Sequence, residues 1–165
     1  MSQLFTRSTA AAFVLSLLAG CSVSSPHNVQ AQPQVRQLTQ SAHCGLTGPG
    51  VAPVNSSREL DKLLGVSGQN MATGVIRQVD LAHEQLIIIT LGQRPTAGYS
   101  VGLRDVQWEK PTLKLEMRVG EPAPDMMVAQ VLTSPCVVLG VRGGPWERLE
   151  VTGLTATPIV KTSGK

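Results

Sequence analysis

Short runs of alternating apolar and polar residues recur along the chain, and this pattern is typical of strands with one buried face. The clearest run is residues 112–120, where leucine, methionine and valine alternate with charged side chains. Residues 84–92 form a more continuous apolar run, rich in β-branched isoleucine, that is typical of a buried strand. The same reasoning predicts further strands at residues 71–80, 98–109, 126–135, 136–141 and 147–154.

Only one segment has the pattern of a helix. Residues 55–65 carry a capping box, Ser56 followed three residues later by Glu59, and then a narrow stripe of leucines. The inward-facing parity of run 98–109 changes at Arg104-Asp105, which predicts a β-bulge there. One short helix among about seven strands predicts an all-β fold, mainly antiparallel, built as a β-sandwich or a partly open barrel.

The first 20 residues have the pattern of a secretory signal and are excluded from the fold. They end in Leu18-Ala19-Gly20, and with Cys21 this sequence resembles the bacterial lipobox, in which the cysteine receives lipid such as palmitate. The alternative is an ordinary signal peptide with an incidental cysteine. Residues 21–41 are rich in Ser, Gln and Pro and predict a flexible tether, which leaves residues 42–165 as a single domain.

Composition excludes several functions. The chain has 14 Lys and Arg against 11 Asp and Glu without a basic cluster, and aromatic residues make up 3%. A nucleic-acid surface needs clustered cations, so nucleic acid is not an expected partner. The sequence also contains no nucleophile elbow, phosphate loop or zinc-protease motif, which predicts no enzymatic activity and no cofactor.

Two cysteines remain after Cys21 is used for lipid, namely Cys44 and Cys136. Together with His43 they match no zinc spacing, so no metal site is predicted. In an oxidising compartment an even remainder of two favours a disulfide, and two buried free thiols are the alternative.

A stiff loop, residues 92–99, separates two of the predicted strands. Pro95 fixes the backbone and Gly98 permits positive φ, so the loop is preorganised for binding. One interpretation, which the family resemblance given below favours, is that Arg94, Pro95, Thr96, Ala97 and Gly98 form a partner-binding surface, with Tyr99 in the core beneath it. The alternative is a plain turn with a solvated arginine.

Residues from about 80 to 141 resemble the C-terminal domain of the protease-complex subunit PrcB family. The likeness lies in LGQRPTAGYSV, then LKLEMRVGEPAPD, then VLTSPCVVLGV, in the family's order and spacing. The family's namesake is a noncatalytic accessory lipoprotein of a surface protease complex. The resemblance implies a similar role here.

RPTAGYSV is also similar to a loop of the chagasin-type cysteine-protease inhibitors, which are small β-sandwiches. Arg94 stands where that family usually has Asn, and Val101 where an aromatic residue follows. This weaker likeness implies a sandwich fold more than it implies inhibition.

The sequence therefore predicts a lipid-anchored, noncatalytic module that docks on another envelope protein, with a protease as the implied class. The alternatives are a direct protease inhibitor using residues 93–99, or a structural lipoprotein without a defined ligand. Ser22 after the lipobox is typical of lipoproteins sent to the outer membrane, where the domain would face the periplasm. The sequence leaves the oligomeric state open.

Cys21→Ser tests the predicted anchor. Firm anchoring needs more than one acyl chain, so removal of the modified cysteine should release the protein from membranes or leave its precursor uncleaved. Fractionation and electrophoretic mobility measure both effects. A variant that fractionates and migrates like wild type would contradict lipidation at Cys21.

Overall fold

The computed structural model describes residues 32–144 and 146–162, which contain eight strands in two sheets and two short helices. None of the helices in this part of the chain has the length and apolar character needed to span a membrane. In chain order the elements are β1 (Gln34–Ser41), β2 (Pro49–Val54), α1 (Ser57–Leu64), α2 (Thr73–Arg77), β3 (Glu84–Leu91), β4 (Ser100–Glu109), β5 (Thr112–Gly120), β6 (Cys136–Arg142), β7 (Arg148–Thr152) and β8 (Ile159–Thr162).

The two sheets pack as a sandwich, which confirms the predicted fold class. The first sheet has the order β1-β6-β3-β2 and the second β4-β5-β7-β8, and the sheets do not close into a barrel. All neighbouring strands run antiparallel except β5 and β7. That parallel pair arises because the chain leaves the second sheet after β5, forms β6 in the first sheet, and returns as β7.

The central strands β3 and β6 are buried on both faces. Side chains such as Ile87, Ile89 and Leu139 point between the sheets and meet the leucines of β5 and β7. Their alternate neighbours, including Leu86 and Val138, point to the other face, where α1 and α2 cover them. This double coverage explains why run 84–92 is apolar at almost every position.

Several local predictions are confirmed. Ser56 caps α1, because its hydroxyl oxygen accepts a hydrogen bond from the Glu59 amide at 3.3 Å. The register of β4 against β5 shifts between Leu103 and Asp105, which is the predicted bulge. The helix cap and the bulge could be predicted from the sequence because both depend on residues that are close together in the chain.

The predicted tether over residues 21–41 is wrong in its last part. Residues 34–41 form β1, which pairs with β6 from Gln34–Arg142 to Ser41–Cys136. The folded domain therefore begins before Ala42. The signal segment 1–20 and Cys21 lie outside the described residues.

Two predicted strands are also wrong. Within residues 71–80, Thr73–Arg77 forms α2, in which Ile76 is buried and Val75 is 45% exposed. The segment 126–135 belongs to a loop that forms no strand and has isolated bridges at Thr133 and Ser134. Neither segment has a neighbouring strand to complete its hydrogen bonds, so its apolar residues do not alternate between core and solvent.

A buried carboxylate links β1, β3 and β6. The Arg36 guanidinium donates to both oxygens of Glu84 at 2.8 and 3.0 Å, and Arg142 lies 3.5 Å from one of them. A side chain at Gly140 would overlap the carboxylate, so glycine leaves the space that Glu84 fills. The hydrogen bond from Arg36 holds the pKa of Glu84 below its ordinary value, although burial opposes this shift.

Glu84→Gln should lower the free energy of unfolding by about 1–3 kcal/mol at pH 7, because an amide has no charge to offer the arginines. The pKa of the folded carboxyl lies below the unfolded value of about 4.3. The carboxylate therefore stabilises the fold above that pH, and the contribution is lost as the pH falls through the lower folded pKa. Denaturant unfolding at neutral and acidic pH measures the difference.

Glu116→Gln is the matched control, since Glu116 pairs with Arg104 at 3.1 Å on the exposed face of β5. An exposed pair contributes about 0–1 kcal/mol. A Glu84→Gln deficit that is no larger than the control's, or that persists unchanged in acid, would contradict the role of the buried carboxylate.

Candidate functional site

Two loops meet at one end of the sandwich. The RPT loop, residues 92–99, connects β3 to β4, and the methionine loop, residues 121–135, connects β5 to β6. Both lie beside the Ser41–Cys136 end of the β1–β6 pair, whereas the described chain begins beside the opposite end, where Gln34 pairs with Arg142. We call the first end the docking end and the second the tether end. An eight-residue strand such as β1 separates them by about 26 Å.

Gly92 fixes the start of the RPT loop. Its φ is 71°, and a Cβ here would lie 2.7 Å from the carbonyl carbon of Gly48. The next amide, that of Gln93, donates to the Thr47 carbonyl at 3.0 Å. The loop therefore leaves β3 against the backbone of the segment before β2, and only glycine allows that approach.

Hydrogen bonds tie the RPT loop to the methionine loop. Arg94 and Thr133 exchange backbone bonds of 2.8 and 3.0 Å, and the Ala97 amide donates to the Ala129 carbonyl at 3.0 Å. The hydroxyl of Thr133, which is 3% exposed, donates to the Thr96 carbonyl at 2.9 Å. The two loops form one hydrogen-bonded unit.

Gly98 brings the loops into van der Waals contact. Its φ is 94°, and an added Cβ would lie 3.0 Å from Pro122 and 3.4 Å from Val128. A larger residue would be strained by its backbone conformation and crowded by the facing loop.

Arg94 is half-buried and lies against the loop rather than extending freely into solvent. Its guanidinium carbon lies 5.6 Å from the centroid of the Tyr99 ring, and its Nε is buried without a hydrogen-bond partner among the described residues. Tyr99 is half-buried and packs against the inter-sheet core. Arg94 and Tyr99 thus support the RPT loop from within.

The remaining residues of the RPT loop differ in exposure. Pro95 and Gly98 are exposed, while Thr96 and Ala97 are half-buried and contribute backbone groups to the bonds described above. Their direct contact with a partner stays a prediction.

The methionine loop carries most of the exposed apolar surface. Among the described residues six large apolar side chains are exposed, and four of them lie in this loop: Met126 at 56%, Met127 at 99%, Val131 at 48% and Leu132 at 68%. Clustered apolar exposure is typical of interaction surfaces. Because segment 126–135 was interpreted as a strand, the exposure of these side chains was not predicted. Two consecutive methionines, Met126 and Met127, directly after a proline-rich turn could have indicated an exposed apolar loop.

Residues 86–142 match the family model described as PrcB C-terminal. This match covers about a third of the chain and supports the resemblance to the PrcB family. The searches of curated proteins and of solved structures found no match to the chain. The matched segment begins in β3 and ends with β6, so it contains the RPT loop and the methionine loop in full.

A disulfide fixes the end of the methionine loop. Cys44 and Cys136 are bonded, with Cα atoms 6.0 Å apart and a sequence separation of 92. Closure of such a long loop stabilises the fold by about 4–5 kcal/mol in the chain-entropy description. The neighbouring Ser134 hydroxyl accepts hydrogen bonds from the amides of Cys44 and Gly45 at 2.9 and 2.8 Å.

Within the described ranges, no three His, Cys, Asp or Glu residues lie close enough together to hold a metal ion. His83 contacts Asp80 at 2.7 Å, and this hydrogen bond lowers the pKa of Asp80. That pair precedes β3 at the tether end, away from the two loops.

Thr133→Val should loosen the two loops with little change in side-chain shape. The Thr96 carbonyl would lose its donor, at a cost of about 1 kcal/mol in the free energy of unfolding. The amides of Arg94 and Ala97 should then exchange hydrogen faster, which native-state exchange measures.

Thr152→Val provides the control, because Thr152 is half-buried in β7 and makes no side-chain hydrogen bond with the described residues. If the Thr133 variant exchanged these two amides at the wild-type rate, the loops would not depend on its hydroxyl.

Proposed function

We propose that this protein is a noncatalytic accessory module that is held at the bacterial envelope by lipid at Cys21 and docks on another envelope protein through the docking end. The family supports a protease as the class of that partner, because PrcB C-terminal domains are associated with protease-complex subunits. The Ser22 that follows Cys21 favours the outer membrane, with the domain in the periplasm.

The apolar methionine loop is the observation that carries this proposal. Burial of a side chain such as Met127 or Leu132 contributes about 1.5–3 kcal/mol relative to its exposure in water. A partner that covers these side chains would therefore stabilise the complex, because in the isolated domain the same side chains face water.

The fixed shape of the loops supports the same function. The backbone bonds between Arg94 and Thr133, the packing of Gly98 on Pro122 and the Cys136 disulfide all hold the docking end before any partner arrives. Preorganised loops lose less conformational entropy on binding.

The position of the anchor also supports docking on a protein. The segment between Cys21 and Gln32 joins the described domain at the tether end, so an anchored domain can present the docking end away from its own membrane. Residues 22–31 are ten positions, and an extended chain of that length spans about 33–36 Å at most.

A photo-cross-linking amino acid at position 127 tests the proposal in the full-length, anchored protein. We expect a specific cross-linked protein from position 127 and none from position 160, where Val160 is 39% exposed on β8 near the tether end. The partner should then bind purified Met127→Ser at least about tenfold more weakly, since about 1.4 kcal/mol corresponds to tenfold.

Val160→Ser is the matched control and should bind like wild type. Both variants should unfold within about 0.5 kcal/mol of wild type, because the replaced side chains are exposed. Equal cross-linking from both positions, or none from 127, would contradict docking through this end. If the partner is a protease, turnover that continues in the complex distinguishes an accessory module from an inhibitor.

A further inference from the structure

The methionine loop combines apolar side chains with negative charge. Its fifteen residues, 121–135, include the carboxylates Glu121 and Asp125 and no lysine or arginine. Both carboxylates are exposed, and neither forms an ion pair with a described residue. Both acids precede the exposed Met126 and Met127 in the N-terminal part of the loop.

Nearby cations do not neutralise this loop. Arg94 is held over the Tyr99 ring, and Arg118 is exposed on the outward face of β5. Neither lies within 4.0 Å of the Glu121 or Asp125 carboxylate. The carboxylates therefore remain available to a partner of opposite charge.

We propose that the methionine loop fits an apolar depression on a protein surface whose rim carries lysine or arginine side chains. This inference rests on the proposed docking function and specifies the chemistry of the partner. The exposed methionines, Val131 and Leu132 fill the depression, and Glu121 and Asp125 meet the basic rim. An apolar centre with a polar rim is the usual arrangement of a protein interface.

The charges decide against a membrane as the occupant of this loop. Anionic lipid surfaces attract clustered lysine and arginine, whereas residues 121–135 carry only negative charge. The docking end also lies opposite the end at which the described chain begins. A basic protein surface would complement the negative charge of the loop and could reach the docking end, which lies away from the tether end.

Association kinetics test this chemistry with the protein that cross-links through position 127, purified and bound to the full-length chain in detergent. Rim charges act mainly on the association rate and its salt dependence. Glu121→Gln with Asp125→Gln should slow association several-fold, and Glu121→Lys with Asp125→Lys about tenfold or more, at about 0.1 M salt. At about 1 M salt, where the Debye length is about 3 Å, the rates should converge within about twofold.

Glu147→Gln and Glu147→Lys are the matched controls, because Glu147 is an exposed acid at the tether end, just before β7. They should leave association unchanged. Met127→Ser should instead speed dissociation about tenfold, since it removes apolar contact and no charge.

The outcomes separate this inference from the docking function itself. Cross-linking from position 127 with rates that ignore both charge and salt would overturn the basic rim and leave docking intact. Absence of cross-linking from position 127 would overturn both. Cosedimentation of full-length Cys21→Ser with phosphatidylglycerol vesicles, lost on Met127→Ser, would identify a lipid surface as the occupant and overturn the inference.

Discussion

The burial of β3 and β6 on both faces is the constraint on which the rest of the structure depends. Their inward side chains need a second sheet, and β4, β5, β7 and β8 supply it. Their outward side chains need a separate cover, which α1, α2 and the disulfide provide. Any chain that crosses between these layers must do so at an end of the sandwich. The β3–β4 and β5–β6 connections cross at the same end, and this brings the RPT loop and the methionine loop together.

Because the two loops lie at the same end of the sandwich, backbone groups of each loop form hydrogen bonds with backbone groups of the other. The Arg94–Thr133 and Ala97–Ala129 bonds replace the strand pairing that neither loop has within a sheet. Because backbone groups need partners, these bonds fix the methionine loop at Ala129 and Thr133. The side chains of Met126, Met127 and Leu132, next to these fixed points, stay exposed. Order and apolar exposure at one place distinguish this surface from a disordered segment.

Much of the fold could be predicted from sequence where the signal is local. Run 112–120, the Ser56 cap and the bulge beside Arg104 depend on residues a few positions apart. The strand β1 could not be predicted, because Val35 and Leu38 alone give no period and the strand is held by pairing with β6, roughly a hundred residues later. Its ion pair between Arg36 and Glu84 also joins residues 48 positions apart in sequence. The prediction of a strand over residues 126–135 was wrong for the opposite reason. The composition of this segment suits a strand, but the topology places no neighbouring strand beside it.

The candidate site was predicted in place but not in detail. Proline and glycine in residues 92–99 indicated a stiff loop, and the structure has one. The sequence analysis then predicted that Arg94 and Thr96 contact a partner protein, because arginine is common at interfaces and loops lie on surfaces. In the structure, Arg94 lies over the Tyr99 ring, and the Thr96 carbonyl accepts a hydrogen bond from the Thr133 hydroxyl. Contact of either residue with a partner stays a prediction. Under the docking function proposed above, the exposed side chains of the methionine loop would supply most of the apolar contact.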